Sequence, residues 1–228
     1  MTQYGDTFSL WRRAAGTAWG DYTRHAFVES LGNGSLPRAA FLAYLRQDYL
    51  FLIHFSRAWA LAVTKADTVH EMRLCAATVD GLINHEIALH IETCAKEGLS
   101  ETDLFTSEEA PENIAYTRYV LDAGHAGDFL DLLAALAPCV LGYGEIGARL
   151  KTAKSNATYA DWINVYAGDD YQSVCQQVGA LIDSAMVRRL GVAPQESPRW
   201  ARLCNRFTTA TRLEVGFWQM GIRLGGAG

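Results

Sequence analysis

The chain has 228 residues, half of them hydrophobic and 20% charged, which suits one large or two small globular domains. A formal net charge of −5 and the lack of any Lys/Arg run exclude nucleic acid or an anionic membrane as the main partner. No apolar run reads as long enough to span a bilayer, and the first residues, MTQYGDTFSLWRRAAG, lack the pattern of a secretory signal. Five cysteines without CxxC or metal-like spacing fit reduced thiols and a cytoplasmic location.

Phe8 to Gly20 reads as a first helix, with Leu10, Trp11 and Trp19 for burial. His25 to Leu31 follows and ends in a turn, Gly32-Asn33-Gly34. Pro37 opens a long helix to Lys65, in which Phe41, Tyr44, Asp48, Phe51 and Phe55 recur at steps of three and four. Asp48 therefore stands in an aromatic stripe. It is either tied to an Arg or Tyr of a packing helix or serves as a ligand anchor, because a lone buried carboxylate is costly.

Asp67 or Thr68 caps the next helix, which runs to Glu97 and closes at Gly98. His85, Glu86 and His90 lie on it, but position 89 is Leu, so the HExxH zinc motif is absent. Glu86 and His90, one turn apart, read as a Glu–His pair. Ser100 to Pro111 reads as a surface loop, and Glu112 to Ala123 as a helix broken by Gly124-His-Ala-Gly127.

Asp128 to Leu150 is the central helix, with Phe129, Leu132, Leu133, Leu136, Val140 and Tyr143 on one face. Cys139 and Tyr143 share that face. Pro138 predicts a bend, and Gly142, Gly144 and Gly147 predict close approach of a partner helix or a ligand. The same glycines spell GxGxxG, but no strand precedes them, so the dinucleotide reading fails. Cys139 is a nucleophile or an ordinary core thiol. Beyond it, Thr158 to Gly168 forms a short aromatic segment with Trp162 and Tyr166, and Asp169 or Asp170 starts a helix to Leu190. Gly191 to Pro198 is a linker, and Arg199 to Arg223 the last helix, with Glu214 inside an apolar stripe. The tail from about residue 225 to 228 reads as disordered.

The pattern predicts an all-α, single-domain helical bundle of seven to nine helices over residues 1–228. On inward faces stand one cysteine (Cys139), two carboxylates (Asp48, Glu214) and the tyrosines Tyr116, Tyr143 and Tyr166. Such a set suits covalent chemistry on a small polar heterocycle: the thiolate attacks an electron-poor carbon, one carboxylate holds the ring, and the other protonates the leaving group.

The stretches HAFVESLGNGSLPRAAFLAYLRQDYLFLIHF (25–55), NHEIALH (84–90), LAALAPCVLGYGEIG (133–147), YADWINVYAGDDY (159–171) and LEVGFWQM (213–220) resemble the TenA/Thi-4 proteins (thiaminase II) of the haem-oxygenase-like fold. The resemblance implies hydrolysis of an aminopyrimidine, from thiamin or aminomethylpyrimidine, to release hydroxymethylpyrimidine for salvage without a metal or organic cofactor. It implies Cys139 as nucleophile, Glu214 as proton donor, Asp48 as the ring-binding carboxylate, and Tyr143, Tyr166 and Tyr116 as substrate contacts. A homotetramer is implied as well. Two departures stand out: Ala26 replaces a proline, and Phe51 replaces a tyrosine whose hydroxyl activates the cysteine in family members. The alternatives are a non-catalytic pyrimidine-binding or regulatory protein, and a di-iron oxidase. The latter suits Tyr166, Asp170 and Ser173 poorly as ligands.

Overall fold

The computed structural model describes residues 4–152 and 158–226, and all regular structure among them is helical. The first predicted helix is two: α1 (Asp6–Ala15) and α2 (Thr17–Thr23) meet at Gly16, whose φ of +58° suits a residue without Cβ. The helix α3 (Ala26–Asn33) runs on through Gly32, and the turn falls at Gly34 in the left-handed region. His25 caps it by accepting from the Phe27 amide.

The long helix α4 (Arg38–Lys65) follows Pro37 as expected. A capping box between Thr68 and Glu71 starts α5 (Val69–Gly81). The predicted single helix to Glu97 is interrupted by a π turn, Leu82–Glu86, before α6 (Ile87–Ala95). The predicted loop at 100–111 contains a short helix, α7 (Glu101–Phe105), which Ser100 and Asp103 cap reciprocally. Gly124 does not break α8 (Pro111–Ala126). It lies against Leu61 and Leu132, where a Cβ would sit 2.6 Å from the Leu61 Cδ2.

The central helix, α9 (Phe129–Thr152), continues through Pro138 and packs against α8 and the later helices α10 (Ala160–Ala167), α11 (Asp169–Leu190) and α12 (Trp200–Gly225). Contrary to the sequence reading, Phe129–Lys151 is long and apolar enough to cross a membrane by length and composition. It is 94% buried in the protein, so it serves as the core helix. A 3₁₀ turn, Pro194–Glu196, lies in the predicted linker. The last helix includes Gly225, which the sequence reading had assigned to the tail, and residues 227–228 lie outside the described residues.

Charge joins the starts of α9 and α12. Fully buried Asp131 accepts from Arg199, Arg202 and Arg206 at 3.1, 2.7 and 2.6 Å, while Asp128 takes both ends of the Arg199 guanidinium at 2.6 Å. This clamp fixes the register of the two helices that carry Cys139 and Glu214.

Candidate active site

The glycines of α9 explain how its neighbours come so close. A Cβ on Gly142 would lie 2.3 Å from Tyr22, and one on Gly144 would lie 2.5 Å from the Cys175 sulfur. One on Gly147 would meet the Tyr166 carbonyl carbon at 2.5 Å. The space is thus used for packing, and α10 rests directly on the backbone of α9. That contact carries Trp162 and Tyr166 to Tyr143, with ring centroids 5.9 and 5.0 Å from it.

Asp48 joins α4 to α6. Its Oδ2 accepts from the Tyr44 hydroxyl at 2.9 Å and lies 2.7 Å from His90 Nε2. His90 Nδ1 is 2.8 Å from the Glu86 carbonyl, which only accepts, so Nδ1 carries a proton. The short contact on the other side must hold a second proton, shared between His90 and Asp48. Burial lowers the pKa of His90, but its bond to Asp48 and the charges of Asp48 and Glu86 outweigh it and raise the net value. Both bonds to Asp48 fall on Oδ2, and Oδ1 accepts none among the described residues. Tyr44 is the junction: its oxygen accepts from Trp162 Nε1 at 3.3 Å and lies 3.5 Å from the Tyr143 hydroxyl.

Glu214 is enclosed on α12, and Tyr116 donates to its Oε1 at 2.8 Å. Burial pushes its pKa up to about 8, the Tyr116 bond opposes this, and the Asp48 charge adds to it. Cys139 is buried and makes no hydrogen bond among the described residues. Burial, then Glu214, Glu86 and Asp48, hold its pKa well above the ordinary range, so the unliganded protein carries a thiol. Phe51 packs its ring on Tyr116 and Phe217, with centroids 5.0 and 5.3 Å away.

The predicted side chains therefore face one buried region. Asp48, Tyr143 and Tyr166 lie on its α4–α9–α10 side, while Glu214, Tyr116 and Phe51 lie on its α12–α8–α4 side, and Cys139 feels the carboxylates of both. One pairing needs correction. Glu86 does not bond His90 through its carboxylate; that carboxylate accepts from Tyr166 at 2.7 Å, and His90 belongs to Asp48. The sequence reading missed Tyr44 as the junction and gave Tyr22 no role. Tyr22 is fully buried, its hydroxyl donates to the Pro138 carbonyl at 3.3 Å, and Glu214 and Cys139 both influence it. Asp170 and Ser173 are exposed, so they share no ligand set with the buried Tyr166.

A family model, described as the TENA/THI-4/PQQC family, matches residues 12–224. The chain belongs to the TENA/THI-4/PQQC family. Among solved members, a protein of Silicibacter sp. described as a TenA family transcription regulator is 59% identical. The match covers 96% of this chain and 97% of that one, with a TM-score of 0.95. An uncharacterized protein of Haemophilus influenzae is 41% identical over 210 residues, 90% of this chain and 94% of its own length. A protein of Halalkalibacterium halodurans named aminopyrimidine aminohydrolase is 33% identical over 215 residues, 93% of each chain. The fold is haem-oxygenase-like: a domain of Shewanella denitrificans described in those words superposes over 96% of this chain with a TM-score of 0.58, at 14% identity.

Proposed function

We propose that this family member hydrolyses a small aminopyrimidine, of the kind named for its Halalkalibacterium relative, by covalent catalysis at Cys139. The observation that carries the reading is one buried thiol, Cys139, within electrostatic reach of two buried carboxylates, Glu214 bonded to Tyr116 and Asp48 bonded to Tyr44 and His90. Asp48, fixed by Tyr44 and His90, offers Oδ1 to the ring's amino group. Cys139 adds to an electron-poor ring carbon: a C–S bond forms as the S–H bond breaks, and the thiol proton passes to the adjoining ring nitrogen, which gives it up to the Glu214 carboxylate once the leaving group has gone. Glu214, with a pKa of about 8, protonates the departing amine or thiazole. Water replaces the lost group, the sulfur leaves, and hydroxymethylpyrimidine is released. The scheme uses side chains alone and needs no cofactor. A homotetramer and a cytoplasmic location complete the reading, as for a salvage enzyme acting on a free metabolite.

The transcription regulator named among its relatives suggests another class of role. The net charge of −5 opposes direct DNA reading, and Arg199, Arg202 and Arg206 are engaged by Asp128 and Asp131. Turnover of aminomethylpyrimidine and thiamin, measured side by side on wild type and Cys139→Ser, tests the proposal. Serine is close in size but a far poorer nucleophile, so hydrolysis should vanish while the melting temperature barely moves. Substantial hydrolysis by Cys139→Ser sinks the covalent route, and no turnover of either compound by wild type sinks the substrate class.

A further inference from the structure

Glu86 takes no part in the scheme above, yet its charge acts on the Cys139 thiol second only to that of Glu214. It ends the π turn Leu82–Glu86, a feature often found where a helix serves a site. Through this turn one residue holds two partners. Its carbonyl holds His90 Nδ1 at 2.8 Å, and its Oε1 accepts from the Tyr166 hydroxyl at 2.7 Å. Glu86 is partly exposed as a residue, but its carboxylate reaches a tyrosine that is 1% exposed.

Tyr166 has a single hydroxyl proton, and in the unliganded protein Glu86 receives it. A pyrimidine ring nitrogen carries a lone pair and only accepts. For Tyr166 to donate to such a nitrogen, its bond to Glu86 must run the other way, from a protonated carboxyl to the tyrosine oxygen. An O–H···O distance of 2.7 Å suits either direction. We propose that Glu86 is a positioning residue for the aminopyrimidine: protonated, it donates to Tyr166 and releases the Tyr166 proton to a ring nitrogen, and ionised, it withholds that proton. The proposal rests on the aminopyrimidine reading and adds to it the residue that governs ring recognition.

The surroundings shift Glu86 toward its protonated form. Facing Glu86 are Asp48 on α4, His90 on α6, Cys139 on α9, Tyr166 on α10, and Tyr171 and Cys175 on α11. From α5, exposed Asp80 is bonded to Asn84, and His85 is exposed. Burial raises the Glu86 pKa, the His90 charge opposes this, Asp48 raises it further, and the Tyr166 bond lowers it; the net shift is upward.

Titration calorimetry with hydroxymethylpyrimidine across the neutral range, on wild type, Glu86→Gln and Tyr166→Phe, tests this without requiring turnover. If one proton on Glu86 is needed for binding, the wild-type Kd rises about tenfold per pH unit above that group's pKa. Glutamine is always neutral and donates an N–H to the tyrosine oxygen, so Glu86→Gln should keep its low-pH affinity where wild type loses it. Tyr166→Phe should bind weakly at every pH and lack the Glu86-linked decline. His90 and Asp48 are present in all three proteins, so the difference between profiles is the readout. A Glu86→Gln profile that tracks wild type overturns the proposal. Should that variant not fold, a decline in Tyr166→Phe as steep as that of wild type overturns it equally, since Glu214 is common to both. No binding to wild type at any pH overturns the aminopyrimidine reading and this proposal together, a result distinct from binding with identical profiles.

Discussion

At the scale of single residues, two buried carboxylates have been given different work by their partners. Asp48 accepts from Tyr44 and is bonded to His90, whereas Glu214 has, among the described residues, a single tyrosine donor and a pKa of about 8. Asp48→Asn should therefore weaken binding: a hydrogen bond to a charged group contributes about 1.5–3 kcal/mol, or roughly 10- to 100-fold in KM. Glu214→Gln should lower kcat by about 10²–10⁴ with KM nearly unchanged, and should remove the fall in wild-type kcat above about pH 8. Initial rates against pH decide it; equal losses in KM for both variants would contradict the assignment. Phe51 is the second case. Cys139 has no donor among the described residues and a raised pKa, and Phe51 touches Tyr116, whose hydroxyl is already given to Glu214. A hydroxyl added by Phe51→Tyr should lower the pH of iodoacetamide alkylation, and about 1.4 kcal/mol expressed in the transition state would raise turnover tenfold. Unchanged alkylation and unchanged turnover would show that Phe51 is not a missing activator. The burial of Asp48, Cys139 and Glu214 was legible in the sequence because each is a polar or reactive group at apolar helical spacing. The partners that set their protonation were not, since Tyr44–Asp48–His90 and Tyr116–Glu214 join residues 42 and 98 positions apart.

At the scale of elements, the long helices read correctly from periodicity, while the errors fall where one residue changes the phase. The π turn at 82–86 is one such place. A continuous helix puts Glu86 and His90 on one face, so they read as a pair. The wider turn instead sends the Glu86 carboxylate to Tyr166 and leaves only its carbonyl to His90. Gly16 is another, because a single positive φ divides one expected helix into two. The glycines of α9 had two readings, helix packing or ligand space, and contacts with Tyr22, Cys175 and the α10 backbone decide for packing. Gly147 is the most demanding, since its contact is backbone that no rotamer change relieves. Gly147→Ala gains up to about 1 kcal/mol of helix propensity but forces α10 outward, and such overpacking costs about 1–3 kcal/mol. The displaced helix carries Trp162 and Tyr166, so ligand binding should weaken by more than the stability loss alone predicts. Urea titration and calorimetry on this variant measure both. Full stability with wild-type binding would mean that α10 gives way freely.

At the scale of the whole molecule, an all-α bundle was legible because helices need only local periodicity, and the haem-oxygenase-like fold was implied by the family resemblance. The described residues form twelve α-helices where the pattern predicts seven to nine, because short ones read as parts of longer helices or as loop. The burial of α9 was legible from its central place and inward face, and the structure bears this out, although by length and composition alone the helix would also suit a membrane span. Enclosing a titratable site in this core has a consequence for stability against pH. Glu214 has a folded pKa of about 8, above the value of 4.5 for a free glutamate, so the folded state keeps a proton that the unfolded chain releases between those values. Each pH unit in that window costs the folded state up to about 1.4 kcal/mol. His90, whose pKa is raised, contributes stability below its unfolded pKa that is lost as pH rises through the folded value, so both groups act in one direction. At the acid end the sign reverses. Asp128, lowered to about 2 against burial by Arg199, and Glu71, lowered against burial by Arg189, contribute stability that is lost as pH falls through their folded values. The melting temperature should therefore be highest in mildly acid solution and decline toward pH 8. Glu214→Gln should flatten the alkaline decline, because glutamine has no proton to lose and still accepts from Tyr116. Thermal scans of the two proteins at mildly acid and mildly alkaline pH measure the difference, and parallel declines would place the Glu214 proton elsewhere.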